Sequence, residues 1–156
     1  MTHRWFYSLI LTALCVAFVG VAGVQAADYV GSKKCKACHS KQYKSWAKGK
    51  KAHAVETLGA DKAKAECLSC HTTNGSADLE AGVGCESCHG PGSDYKKVMK
   101  DKKYKKADAL AAGMTDVTQA TCDKCHDPSK SDTAKKVVLS EAKDKVHEHK
   151  ALKHPH

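Results

Sequence analysis

Four copies of one five-residue pattern constrain this chain more than anything else in its 156 residues. They are Cys35-Lys36-Ala37-Cys38-His39, Cys67-Leu68-Ser69-Cys70-His71, Cys85-Glu86-Ser87-Cys88-His89 and Cys122-Asp123-Lys124-Cys125-His126. Each reads Cys-x-x-Cys-His, the attachment signature of a c-type haem. The two thiols add across the porphyrin vinyl groups, and the adjoining histidine reaches the iron as its proximal ligand. The pattern assigns Cys35, Cys38, Cys67, Cys70, Cys85, Cys88, Cys122 and Cys125 to four haems, and His39, His71, His89 and His126 to their irons. Zinc sites do not require a histidine after every cysteine pair. A disulfide framework explains neither the fixed gap nor the histidines. Of the nine cysteines, only Cys15 lies outside the motifs.

Cys15 falls in residues 1–26, which read as a secretory signal. His3 and Arg4 give a basic start, an apolar run follows from Trp5 to Val24, and Val24-Gln25-Ala26 supplies small residues for cleavage after Ala26. The competing reading is an uncleaved membrane anchor, since the run approaches the roughly 20 residues that span a bilayer. Leu14 before Cys15 argues against a lipoprotein anchor. The expected organisation is a signal peptide over 1–26 and one cytochrome domain over 27–156, with a periplasmic location or, alternatively, an extracellular one.

That domain is poor in material for an ordinary core. Both phenylalanines, Phe6 and Phe18, lie in the leader, and Trp46 is the one tryptophan after it. Small chains of this kind need staples. Four attached porphyrins supply them, and the haem-free chain is expected to be unfolded. The formal net charge is +9, with lysines crowded into residues 96–106. Roughly eight haem propionates would offset most of this excess. The run reads as a solvated face balancing propionates, or as a docking patch for an acidic redox partner. Nucleic acid is not expected as a partner, and a membrane only transiently or through an uncleaved leader.

Periodicity predicts helices over residues 41–58, 61–70, 94–110 and 137–152, separated by haem-binding turns. Asn74-Gly75-Ser76, Gly82-Val83-Gly84 and Gly90-Pro91-Gly92 are turn signals. No segment alternates as a substantial sheet does. The fold class is mainly α with extensive loops, its core built around the haems.

Function turns on the far side of each iron. Outside the motifs and the leader stand His53, His147, His149, His154 and His156. Iron with two histidines suits electron transfer, whereas an open position admits a small molecule. Met99 and Met114 are alternatives, though isolated methionines usually pack. On a continuous helix, His149 would point away from His147 and be solvated.

Several segments resemble the cytochrome c-554 family: Gly31-Ser32-Lys33-Lys34, Ser45-Trp46 with Ala52-His53-Ala54, the run from Gly82 to Gly92, and Val146-His147-Glu148-His149. The resemblance implies a tetrahaem periplasmic cytochrome with haems in stacked pairs, of the kind that accepts electrons from hydroxylamine oxidoreductase. It implies His53 as distal ligand opposite His89 and His147 opposite His39, with a second haem, on His71, lacking a strong distal ligand. The family supplies a fourth distal histidine between the third and fourth motifs. Here none stands between His89 and His126, so the fourth haem takes His154, His149 or His156, uses another group, or stays open.

The expected function is an electron carrier relaying single electrons through four c-type haems between donor and acceptor proteins. One alternative is a haem-dependent reductase of nitric oxide or a related nitrogen oxide at an open iron. Another is an oligomer, a subunit of an extracellular cytochrome filament.

Overall fold

The computed structural model describes residues 26–149. Eight short α-helices follow in order: α1 Ser32–Cys35, α2 Ser40–Ala47, α3 Ala65–His71, α4 Cys85–His89, α5 Tyr95–Val98, α6 Lys106–Ala111, α7 Gln119–Asp123 and α8 Leu139–Val146. A 3₁₀ segment over Lys50–Ala63 lies between α2 and α3 and packs against both. There is no strand among the described residues, and no helix there is long and apolar enough to cross a membrane. His154, His156 and residues 1–25 of the leader lie outside the described residues.

All four expected helices are shorter than the periodicity suggested, the 61–70 one starting only at Ala65 because residues 61–63 belong to the 3₁₀ segment. The 41–58 stretch stops at Ala47 because Gly49 is extended, with φ −88 and ψ 159. Beyond it, backbone groups leave the helical ladder to pair with the loop before α4. Val83 N–H donates to Lys51 O at 2.8 Å and Val55 N–H to Ala81 O at 3.3 Å. The 94–110 stretch splits into α5 and α6. Lysines at consecutive turns disfavour one continuous helix, and Asp101 makes the intervening turn by accepting the Lys103 N–H at 2.9 Å. The C-terminal helix runs only from Leu139 to Val146, since His147 is extended at φ −160 and ψ 167.

Apolar burial is slight. Trp46, Tyr95, Ala109 and Met114 are the buried hydrophobic residues among those described, and the last three form a cluster with Met99 and Leu110 at the α5–α6 contact. Helices of four to eight residues are too short to hold themselves. What organises this chain is the set of turns carrying the four motifs.

Candidate haem sites

Every motif lies on a helical turn. In the first and fourth, the histidine N–H closes onto the carbonyl of the first cysteine, His39 to Cys35 and His126 to Cys122, each at 2.9 Å. In the second and third, all five residues belong to α3 and α4. Spacings of three and four residues put both thiols and the imidazole on one side of a turn. The eight thiols are free, and all but the exposed Cys38 are half-buried. This donor set fits four c-type haems, and the scarcity of apolar core fits their bulk.

The third motif is held most firmly. Glu86, its second residue, is 1% exposed. Its carboxylate accepts the N–H groups of Gly92 at 2.6 Å, Gly31 at 2.7 Å and Val30 at 3.0 Å. The charge is thus solvated by backbone dipoles, and the approach to α1 is clasped to the Gly-Pro-Gly turn after α4. A second network lies alongside. Ser32 Oγ accepts the Cys85 N–H at 3.0 Å, Glu80 accepts the Ser32 N–H at 3.2 Å, and Thr73 donates to Glu80 while accepting the Gly84 N–H at 3.0 Å. Gly82 and Gly84 are where the chain comes closest. A Cβ on Gly82 would sit 2.3 Å from Lys51 O, and one on Gly84 1.6 Å from Glu80 Oε1.

The motifs lie together in pairs. The Cys35 and Cys85 thiols hydrogen-bond, which raises the first and lowers the second. Cys70 and Cys125 are likewise neighbours; burial, with the Cys70 contact, pushes the Cys125 thiol up to about 11. Cys88 lies in electrostatic reach of Cys122. The first motif therefore adjoins the third, the second adjoins the fourth, and Cys88 links the two pairs.

Among the proximal histidines, His71 Nδ1 meets Ala54 O at 2.8 Å. A carbonyl only accepts, so the proton sits on Nδ1 and Nε2 is left for a metal. Burial lowers His39 and His126 toward the neutral, ligating form. His126 also hydrogen-bonds to the Lys135 backbone.

The distal candidates differ. His147 lies between the first and third motifs, its ring 6.3 Å from that of His89 and in electrostatic reach of His39; burial lowers it too. It lines a cavity with Trp46, Val83, Cys85, Cys88 and His89. His149 does not point away from it. Because α8 ends at Val146, the two rings stack with centroids 4.3 Å apart, and His149 Nε2 donates to Lys143 O at 3.1 Å. His53 is exposed and serves its own segment, with Nδ1 3.0 Å from Glu56 Oε1 and Nε2 3.0 Å from Ala47 O. Glu56, then the Ala47 carbonyl, raise its pKa. Met114 packs in the α5–α6 cluster with Met99 beside it. Sequence reasoning missed Glu86, Glu80, Thr73 and Ser32. Only Glu86 carried a signal, an acidic residue inside a motif.

A helical fold without strands among its described residues, wound around paired Cys-x-x-Cys-His turns, is that of a multihaem c-type cytochrome. The comparisons with known proteins agree. The family model "Cytochrome c554 and c-prime" matches residues 34–90. Cytochrome c-554 of Nitrosomonas europaea is 29% identical over 154 aligned residues, covering 76% of this chain and 66% of that protein. The solved reduced state of cytochrome c554 from the same organism superposes with a TM-score of 0.60 at 22% identity, over 79% of this chain and 85% of that one. In both sequence and fold the chain is thus similar to cytochrome c-554.

Proposed function

We propose that the chain is an exported electron-transfer cytochrome that relays single electrons through four c-type haems. The observation that carries this is the pairing of motifs. Cys35 against Cys85, Cys70 against Cys125, and Cys88 near Cys122 would hold the four porphyrins close enough for electrons to pass in sequence. The haems supply the redox chemistry. The chain attaches them, fixes their spacing and sets their potentials through ligands, hydrogen bonds and burial.

In this reading His39, His71, His89 and His126 bind the irons proximally. His147 completes the first haem. His53 completes the third by exchanging the Ala47 carbonyl for iron at Nε2 and keeping Glu56 on Nδ1, the arrangement that orients a metal-bound imidazole. His154 is the candidate for the fourth. Residues 1–26 act as the export signal, residues 27–156 form the haem domain, and the site of action is the periplasm. Donor and acceptor are redox proteins meeting exposed haem edges.

A second reading, a reductase of nitrogen oxides, is favoured by one observation: no histidine stands between His89 and His126 to close the fourth iron. Rapid mixing separates the two. Reduced holoprotein should pass electrons to an oxidised cytochrome within milliseconds and leave nitric oxide unconsumed. Catalytic loss of nitric oxide would establish the reductase instead.

A further inference from the structure

We propose that the carboxylates of Glu86 and Glu80 hold the third haem, and to a lesser degree the first, at a lower reduction potential than the fourth. Electrons then run downhill from the third motif to the fourth. This rests on the reading of the motifs as haem sites.

Both carboxylates are joined to the third motif by direct contact. Glu86 lies within it, between Cys85 and Cys88, and is the one buried charged side chain among the described residues. It accepts three backbone N–H groups and donates none, as an ionised carboxylate does. Glu80 Oε1 lies against Gly84, the residue before Cys85, where a Cβ would sit 1.6 Å from it. Its Oε2 accepts the Ser32 N–H at 3.2 Å, and Ser32 Oγ in turn accepts the Cys85 N–H at 3.0 Å. The first motif is reached through a single residue. Gly31 donates its N–H to Glu86 at 2.7 Å, and its carbonyl oxygen lies 4.0 Å from the Cys35 sulfur. Neither carboxylate has a cation within ion-pair distance among the described residues. Lys64, Lys97 and Lys106 pair with exposed aspartates instead.

The fourth motif carries the opposite balance. Lys130 Nζ donates to Lys124 O at 2.7 Å and to Asp123 O at 3.1 Å, the carbonyls of the two residues between Cys122 and Cys125. Asp123 stands where Glu86 stands in the third motif, but Lys124 beside it and Lys130 outweigh its charge. Near the third motif, Lys51 shares a cavity with Cys88 and His89 and offsets one of the two carboxylates there. The remaining charge is negative at the third motif and positive at the fourth. An anion stabilises ferric iron and a cation ferrous iron, the more so where water is excluded. Glu86 is buried whereas Lys124 and Lys130 are exposed, so the third haem feels the larger effect.

The test is a redox titration of the full holoprotein, each haem assigned by paramagnetic nuclear magnetic resonance. It compares wild type, Glu80→Gln, Glu80→Asp, Glu86→Gln and the exposed control Glu66→Gln. In wild type the fourth haem should take its electron before the third. Glu80→Gln keeps an acceptor for the Ser32 N–H and a donor for the Thr73 hydroxyl, so it should retain four haems. Its third couple should rise about tenfold in its reduction equilibrium, about 59 mV for one electron. The first should rise less and the fourth not at all. Glu86→Gln should move the third couple in the same sense; where that variant fails to mature, Glu80→Gln decides alone. Glu80→Asp and Glu66→Gln should stay near the wild-type values. A third haem reduced before the fourth in wild type, or a third couple unmoved in Glu80→Gln, overturns the proposal. An equal rise in Glu80→Asp overturns it in favour of packing. Wild-type protein with no haem on Cys85 and Cys88 by mass would instead refute the haem reading beneath it.

Discussion

Three backbone N–H groups converge on the Glu86 carboxylate. Removing it would orphan donors on both sides of the first and third motifs. Bonds to a charged group contribute about 1.5–3 kcal/mol each, and unsatisfied buried donors cost a comparable amount. Glu86→Ala should therefore destabilise the holoprotein by about 3 kcal/mol or more, read as a lowered guanidinium midpoint. An unchanged midpoint would show that the clasp is not structural. The glycines make a sharper comparison. Gly82→Ala forces a Cβ against the Lys51 carbonyl, whereas Gly75, at φ +81, has open space around it. Gly75→Ala should cost about 1–3 kcal/mol in backbone strain. Gly82→Ala should cost more, or prevent haem attachment, as intact mass would show. The turn at Gly82-Val83-Gly84 was legible in the sequence. Its cause was not, because the oxygen that excludes a side chain belongs to a residue 31 positions earlier.

At the scale of elements, local pattern located helices and overstated their length. Residues 41–58 and 94–110 have helix-compatible composition, yet the first gives up helical hydrogen bonds to the Ala81–Val83 loop and the second breaks at Asp101. Neither pairing leaves a periodic trace. The early stop of α8 has the largest consequence for the site, since it turns His149 onto His147 instead of away from it. Elements this short draw their stability from what they are attached to. The chain made without haem should show a coil-like far-ultraviolet circular dichroism spectrum and no cooperative melt, while the holoprotein melts cooperatively. A cooperative transition in the haem-free chain would mean that the polypeptide carries its own core.

For the whole molecule, the four motifs already carried the class of protein, because no other common cysteine chemistry demands that pattern four times over. The pairing of first with third and second with fourth was not readable from the order of motifs along the chain. The first of these emerges from Glu86, Ser32 and Glu80, which clasp segments some 50 residues apart, and the second from the contact of Cys70 with Cys125. As haem sites, these paired turns would hold four electron-storing irons in one small domain. The measurement that tests it most directly is a stepwise reductive titration of the purified holoprotein, with electrons counted per chain and each oxidation state frozen for electron paramagnetic resonance. Four electrons should be taken up one at a time, with magnetic coupling between haems of the same pair. Fewer than four electrons, or four isolated and uncoupled irons, would contradict it.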